Sequence, residues 1–161
     1  MSKQWLINTL KMLRFLFRKK VNPHDITGVG MALKVDEDLS LFGLLAADGS
    51  INRLGTGALH NTEKEMFIGV TDPKLFQSLR AQITPELLKW VGGRADQNLR
   101  GKVCELQIYL MLANNTEQSI YFKCGSDSMG PPPEVSQFVT TFVEATNPWY
   151  EAQKAMVVKQ R

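Results

Sequence analysis

The chain has 161 residues, 43% hydrophobic and 22% charged, with a formal net charge of +3. That is the size of one domain and the composition of a folded protein, which excludes wholesale disorder, a collagen-like fibre and a disulfide-scaffolded miniprotein. Two cysteines, Cys104 and Cys124, with no Cys-x-x-Cys pair and no nearby histidine pair, give no zinc-ligand spacing and suit a reducing compartment such as the cytoplasm.

The first predicted element is a basic amphipathic helix over residues 4–20. Six of the 19 Lys and Arg residues (Lys3, Lys11, Arg14, Arg18, Lys19 and Lys20) precede the first acid, Asp25, so the rest of the chain carries 13 basic residues against all 16 acidic ones. Trp5, Leu10, Leu13 and Phe17 share a broad apolar face opposite Lys11, Arg14, Arg18 and Lys19. Lys11 and Arg14 interrupt any signal-peptide core, and the segment is too short and too charged to span a bilayer. Its acid-free composition would also suit an organelle transit segment. Asn22-Pro23 ends it, dividing the chain into residues 1–22 and a single domain over 23–161.

Strands follow. In residues 26–35 Val29, Met31, Leu33 and Val35 alternate with Gly28, Gly30 and Ala32, leaving a shallow strip on one face. Asp36-Glu37-Asp38 is a polar turn. Residues 39–47 are apolar on both faces, so the sheet is expected to need cover on both sides, with the helices after residue 71 on one and the helix at 4–20, from its own domain or swapped onto a partner subunit, as the candidate for the other. Asp48-Gly49 predicts a type I′ hairpin, residues 50–55 return, and Met66 to Val70 make a fourth strand.

Asp72-Pro73 and Thr84-Pro85 each open a helix, by a side-chain cap followed by proline at the first helical position. Gly92-Gly93 is expected to stop the second, and 94–101 to be a polar loop. Residues 102–113 and 117–124 read as a hairpin with Leu106, Ile108, Leu110, Ile120 and Phe122 inward. Its even register places Cys104 opposite or diagonal to Cys124. Val135, Phe138, Val139, Phe142 and Val143 form a core-facing helical stripe, and Asn147-Pro148 is expected to start one more short helix. The predicted fold is α+β with a mainly antiparallel sheet and the order α-ββββ-αα-ββ-αα.

The chemistry is thin. His60 lies in a Thr/Gly/Asn loop where Thr56, Asn61 and Thr62 could gather; its ordinary reading is an exposed loop residue. Asp36, Glu37 and Asp38 lack calcium-loop spacing. Gly55-Thr56-Gly57 precedes no helix. Gly125 to Gly130, with Ser126, Asp127 and Ser128, lies between a strand and a helix and offers amide groups to an anion, but it lacks the P-loop lysine. No thiolate activation is visible at either cysteine. No cofactor and no metal are implied.

These features predict a non-catalytic protein-binding or regulatory domain, with a protein partner or self-association, including a homodimer interface. The alternatives are a peripheral protein anchored on an anionic membrane by residues 4–20 through Trp5, Arg14, Arg18, Lys19 and Lys20, and a small enzyme with its site near His60 or Gly125–Gly130. Nucleic-acid binding comes last, because the chain outside the first helix is net acidic.

Overall fold

The computed structural model describes residues 20–160. The predicted helix at 4–20 therefore lies outside the described residues except for its last, Lys20. Within them, seven strands form one sheet and three helices pack on it. The chain runs β1 (Ile26–Val35), β2 (Asp38–Ala46), β3 (Ser50–Leu54), β4 (Phe67–Val70), α1 (Pro73–Arg80), α2 (Pro85–Leu88), β5 (Gly92–Ala95), β6 (Val103–Leu112), β7 (Glu117–Gly125) and α3 (Pro133–Lys159). The sheet order is β4-β3-β2-β1-β6-β7-β5. Neighbours are antiparallel except β5, which runs parallel to β7.

Strand alternation sorts the side chains onto two faces. Val29, Met31, Leu41, Leu45, Ile51, Leu106, Ile108 and Phe122 point one way and form a single core with Phe76, Leu79, Leu87, Val135, Phe138 and Phe142 of the helices. The helix caps are those expected: Asp72 Oδ1 accepts from Lys74 N–H at 2.9 Å, and Thr84 Oγ1 from Leu87 N–H at 3.2 Å. The opposite face carries Phe42, Leu44, Ala46, Tyr109, Tyr121, Ile68 and Val70, and none of these joins that core.

Four expectations are corrected. Residues 133–159 are one helix, with Pro148 inside it. Proline removes the bond to the residue 144 carbonyl, but Glu144 and Pro148 are both exposed, so the break lies on the solvent side, where water can take the freed group. Asp48-Gly49 is not a type I′ turn, for only Gly49 has positive φ (89°) and its N–H bonds the Ala46 carbonyl at 3.0 Å. Leu45 pairs with Ile51, which requires a three-residue loop. A two-residue loop would shift the register by one and turn Ile51 out of the core. Type I′ geometry occurs instead at Asp36-Glu37, with φ 48° and 72°.

Gly92-Gly93 does not end a helix: α2 stops at Leu88 and the glycines open β5. Finally, the strip over Gly28 and Gly30 is already occupied. A Cβ at residue 28 would come within 2.7 Å of Met111 Cε, and one at residue 30 within 3.3 Å of the Tyr109 ring.

Candidate functional site

His60 lines an open cleft of about 380 Å³ together with Asp36, Asp38, Asn61, Lys64 and Lys102. Lys102 Nζ lies 3.3 Å from His60 Nδ1. An ammonium has no lone pair, so in a hydrogen bond between the two it is the donor. Lys102 thus stands beside one ring nitrogen of His60, and no hydroxyl or thiol is paired with the imidazole among the described residues. Asn61 Oδ1 accepts from Thr56 N–H and Glu63 N–H at 3.4 and 3.3 Å, which curls the loop without recruiting His60. Asp36 Oδ1 accepts from Val103 N–H at 2.8 Å and locks its hairpin onto β6.

The Gly125–Gly130 loop pairs with residues 98–102. Its N–H groups at Ser126, Asp127 and Ser128 donate to the carbonyls of Lys102, Arg100 and Gly125 at 2.8, 3.0 and 3.0 Å. The Ser126 and Ser128 hydroxyls accept from Lys102 N–H and Arg100 N–H at 2.9 and 3.4 Å. An anion at this loop would have to displace those bonds. Beside it, Trp90, Arg94, Phe122, Met129 and Pro132 line a groove of about 610 Å³. Of the N-terminal residues singled out in the sequence, Trp5, Arg14, Arg18 and Lys19 lie outside the described residues. Lys20 is exposed, next to Val21, which is buried against the core.

A polar seam that the sequence reading missed joins α3 to the end of β3. Arg53 is fully buried. Its Nε donates to Thr146 Oγ1 at 3.1 Å and its Nη2 to Asn147 Oδ1 at 3.0 Å, while Nη1 donates to the carbonyls of Leu54 and Gly55. The guanidinium lies 5.0 Å from the Tyr150 ring centre. Tyr150 Oη accepts from Gly55 N–H at 2.9 Å and donates to Glu63 Oε2 at 2.7 Å, and Lys154 Nζ meets Glu63 Oε1 at 2.8 Å. The Lys154 hydrogen bond outweighs desolvation and, with the Tyr150 bond, holds the Glu63 carboxyl below the usual carboxylate range. Burial pushes the Tyr150 phenol up, with the Glu63 bond adding to it, and draws Arg53 down. The signal was a parity one: Arg53 shares the inward face with Ile51. Its groups are consumed in packing, which makes the seam a structural staple.

Cys104 and Cys124 face each other directly across β6 and β7. Both thiols are free, and burial raises both. Among the described residues no group of three His, Cys, Asp or Glu side chains is placed to hold a metal, and no helix is long and apolar enough to cross a membrane.

What is left unpaired is surface. Among the described residues no helix covers the second face of the sheet, which presents Phe42, Leu44, Ala46 and Tyr109 and ends at β4, where Ile68 and Val70 are 74% and 75% exposed. Comparison of the chain with family models, with curated proteins and with solved structures finds no match in any of the three.

Proposed function

We propose that this protein is a non-catalytic protein-binding or regulatory domain that offers the helix-free face of its sheet to a protein partner. One observation carries the reading: a seven-stranded sheet has one face under three helices, while the other, rich in apolar side chains, has no layer over it among the described residues. Phe42, Leu44, Ala46 and Tyr109 are half-buried on it and Ile68 and Val70 exposed, and a contiguous apolar surface of this kind is what recognition surfaces are made of. The serines of the Gly125–Gly130 loop point the same way, because Ser126 and Ser128 spend their hydrogen-bonding groups on the neighbouring backbone.

The test uses the full chain carrying Ala46→Cys, at the end of β2 on that face, the two native thiols being buried or half-buried. The new thiol is expected to label rapidly in the isolated protein. Proteins retained from the cells that make this chain should be lost with Leu44→Glu/Tyr109→Glu and kept with His60→Ala. Slow labelling of Ala46→Cys in the isolated monomer would mean that the chain covers its own face, and would overturn the reading. So would retention that depends on His60 and ignores Leu44 and Tyr109.

A further inference from the structure

We propose that a second copy of this chain pairs with β4 edge to edge, antiparallel and centred on Ile68, so that two seven-stranded sheets become one. Among the described residues β4 is an end strand of the sheet. The bond from Thr71 N–H to the Gly49 carbonyl, 2.8 Å, sets the alternation of the ladder. Phe67 and Gly69 then bond inward to Arg53 and Ile51, and the N–H and C=O groups of Ile68 and Val70 point away from the sheet. A free strand edge is a template for another strand, and edges are commonly guarded by lysine, proline, a bulge or a covering element. Phe67-Ile68-Gly69-Val70 carries no lysine or proline and pairs with β3 without a bulge. Its outer side chains are apolar and exposed.

Charge selects both the occupant and the register. The outward groups of two such edges meet only when even-numbered residues face even-numbered ones. With Ile68 opposite Ile68, Met66 faces Val70 and Lys64 faces Asp72, and two-fold symmetry makes each of these contacts twice. Phe67 then faces Gly69, over which the Trp149 ring of the same copy already lies. One step either way, Lys64 falls opposite the first turn of α1 or opposite Val70, and the pairing with Asp72 is lost. Lys64 and Asp72 are both exposed, and Asp72 uses one oxygen to cap α1, leaving the other for an ammonium. A dyad perpendicular to the sheet leaves the helices of both copies on one side and makes the two helix-free faces continuous on the other. The proposal rests on the backbone of β4 and stands apart from partner binding at Leu44 and Tyr109.

The experiment combines sedimentation velocity with amide hydrogen exchange on the full chain. A dimer is expected, with the Ile68 and Val70 amides protected in it and exchanging freely on dilution to monomer. Ile68→Lys, at an exposed position, should give a monomer with an unchanged circular dichroism spectrum. Lys64→Glu should weaken the dimer roughly tenfold, and Lys64→Glu/Asp72→Asn should recover part of that loss. A chain that stays monomeric at every concentration overturns the proposal. So does a dimer indifferent to Ile68→Lys, or protection of the Ile68 amide that does not change with dilution, which would place another part of the same chain on the edge.

Discussion

The ring of Phe142 occupies the space that a side chain at Gly43 would fill, so α3 sits directly on the backbone of β2. Phe142 is fully buried and Gly43 pairs with Arg53 and Met31 on the inward face of the sheet. Phe142→Ala should cost about 3–5 kcal/mol, as buried aromatic truncations do. Gly43→Ala should cost about 1–3 kcal/mol by overpacking. The two changes share one volume, so the double variant should lose less than the two losses added together. Denaturant unfolding of the four proteins measures this, and strict additivity would separate Phe142 from Gly43.

Acid should loosen the seam between α3 and β3. The folded Glu63 carboxyl lies below its unfolded value, so its contribution is complete above the ordinary carboxylate range and is lost as pH falls through the folded value. Glu63→Gln should melt lower than the wild type at neutral pH, and the two curves should converge in acid. Parallel curves from neutral to acid pH would show that Glu63 contributes no pH-dependent stability. Tyr150→Phe, which leaves Gly55 N–H without its buried partner, should cost about 1–3 kcal/mol at neutral pH.

The β1–β2 turn holds Glu37 at φ 72°, in the left-handed region that costs a residue with a Cβ about 1–2 kcal/mol. Glu37→Gly should therefore raise stability by about 1 kcal/mol, since type I′ turns favour glycine at this position. Asp36 should not be changed with it, because its carboxylate holds Val103 N–H. A lower melting temperature for Glu37→Gly would show that the Glu37 side chain contributes more than the strain removed.

The two thiols should stay reduced and react slowly in the native protein. Burial raises both, with Asp36 adding to the effect at Cys104 and Cys104 adding to it at Cys124. Thiolate, the reactive form, is scarce at each. Titration with a thiol reagent should be slow under native conditions and should count both thiols after denaturation. Rapid native labelling of either one contradicts this.

Local signals in the sequence determined most of the elements. Alternation marked β1, β6 and β7 and their inward residues, Asp72 and Thr84 announced their helices, and the 135–143 stripe placed Phe138 and Phe142 in the core. Each of these rests on residues close together in the chain. The surfaces on which the functional proposals stand were decided by tertiary structure. β5 has no strand-like composition and exists because β7 offers it a parallel edge. The even register put Cys104 opposite Cys124, where periodicity alone allowed two placements. Arg53 was visible as a polar residue of inward parity, but its partners Thr146, Asn147 and Tyr150 lie more than ninety residues away. The apolar residues on both sides of β2 predicted two covered faces, yet a pattern of apolar residues cannot say which element does the covering. Side-chain period fixes a face locally, while coverage and free edges depend on which distant elements pack there and which do not.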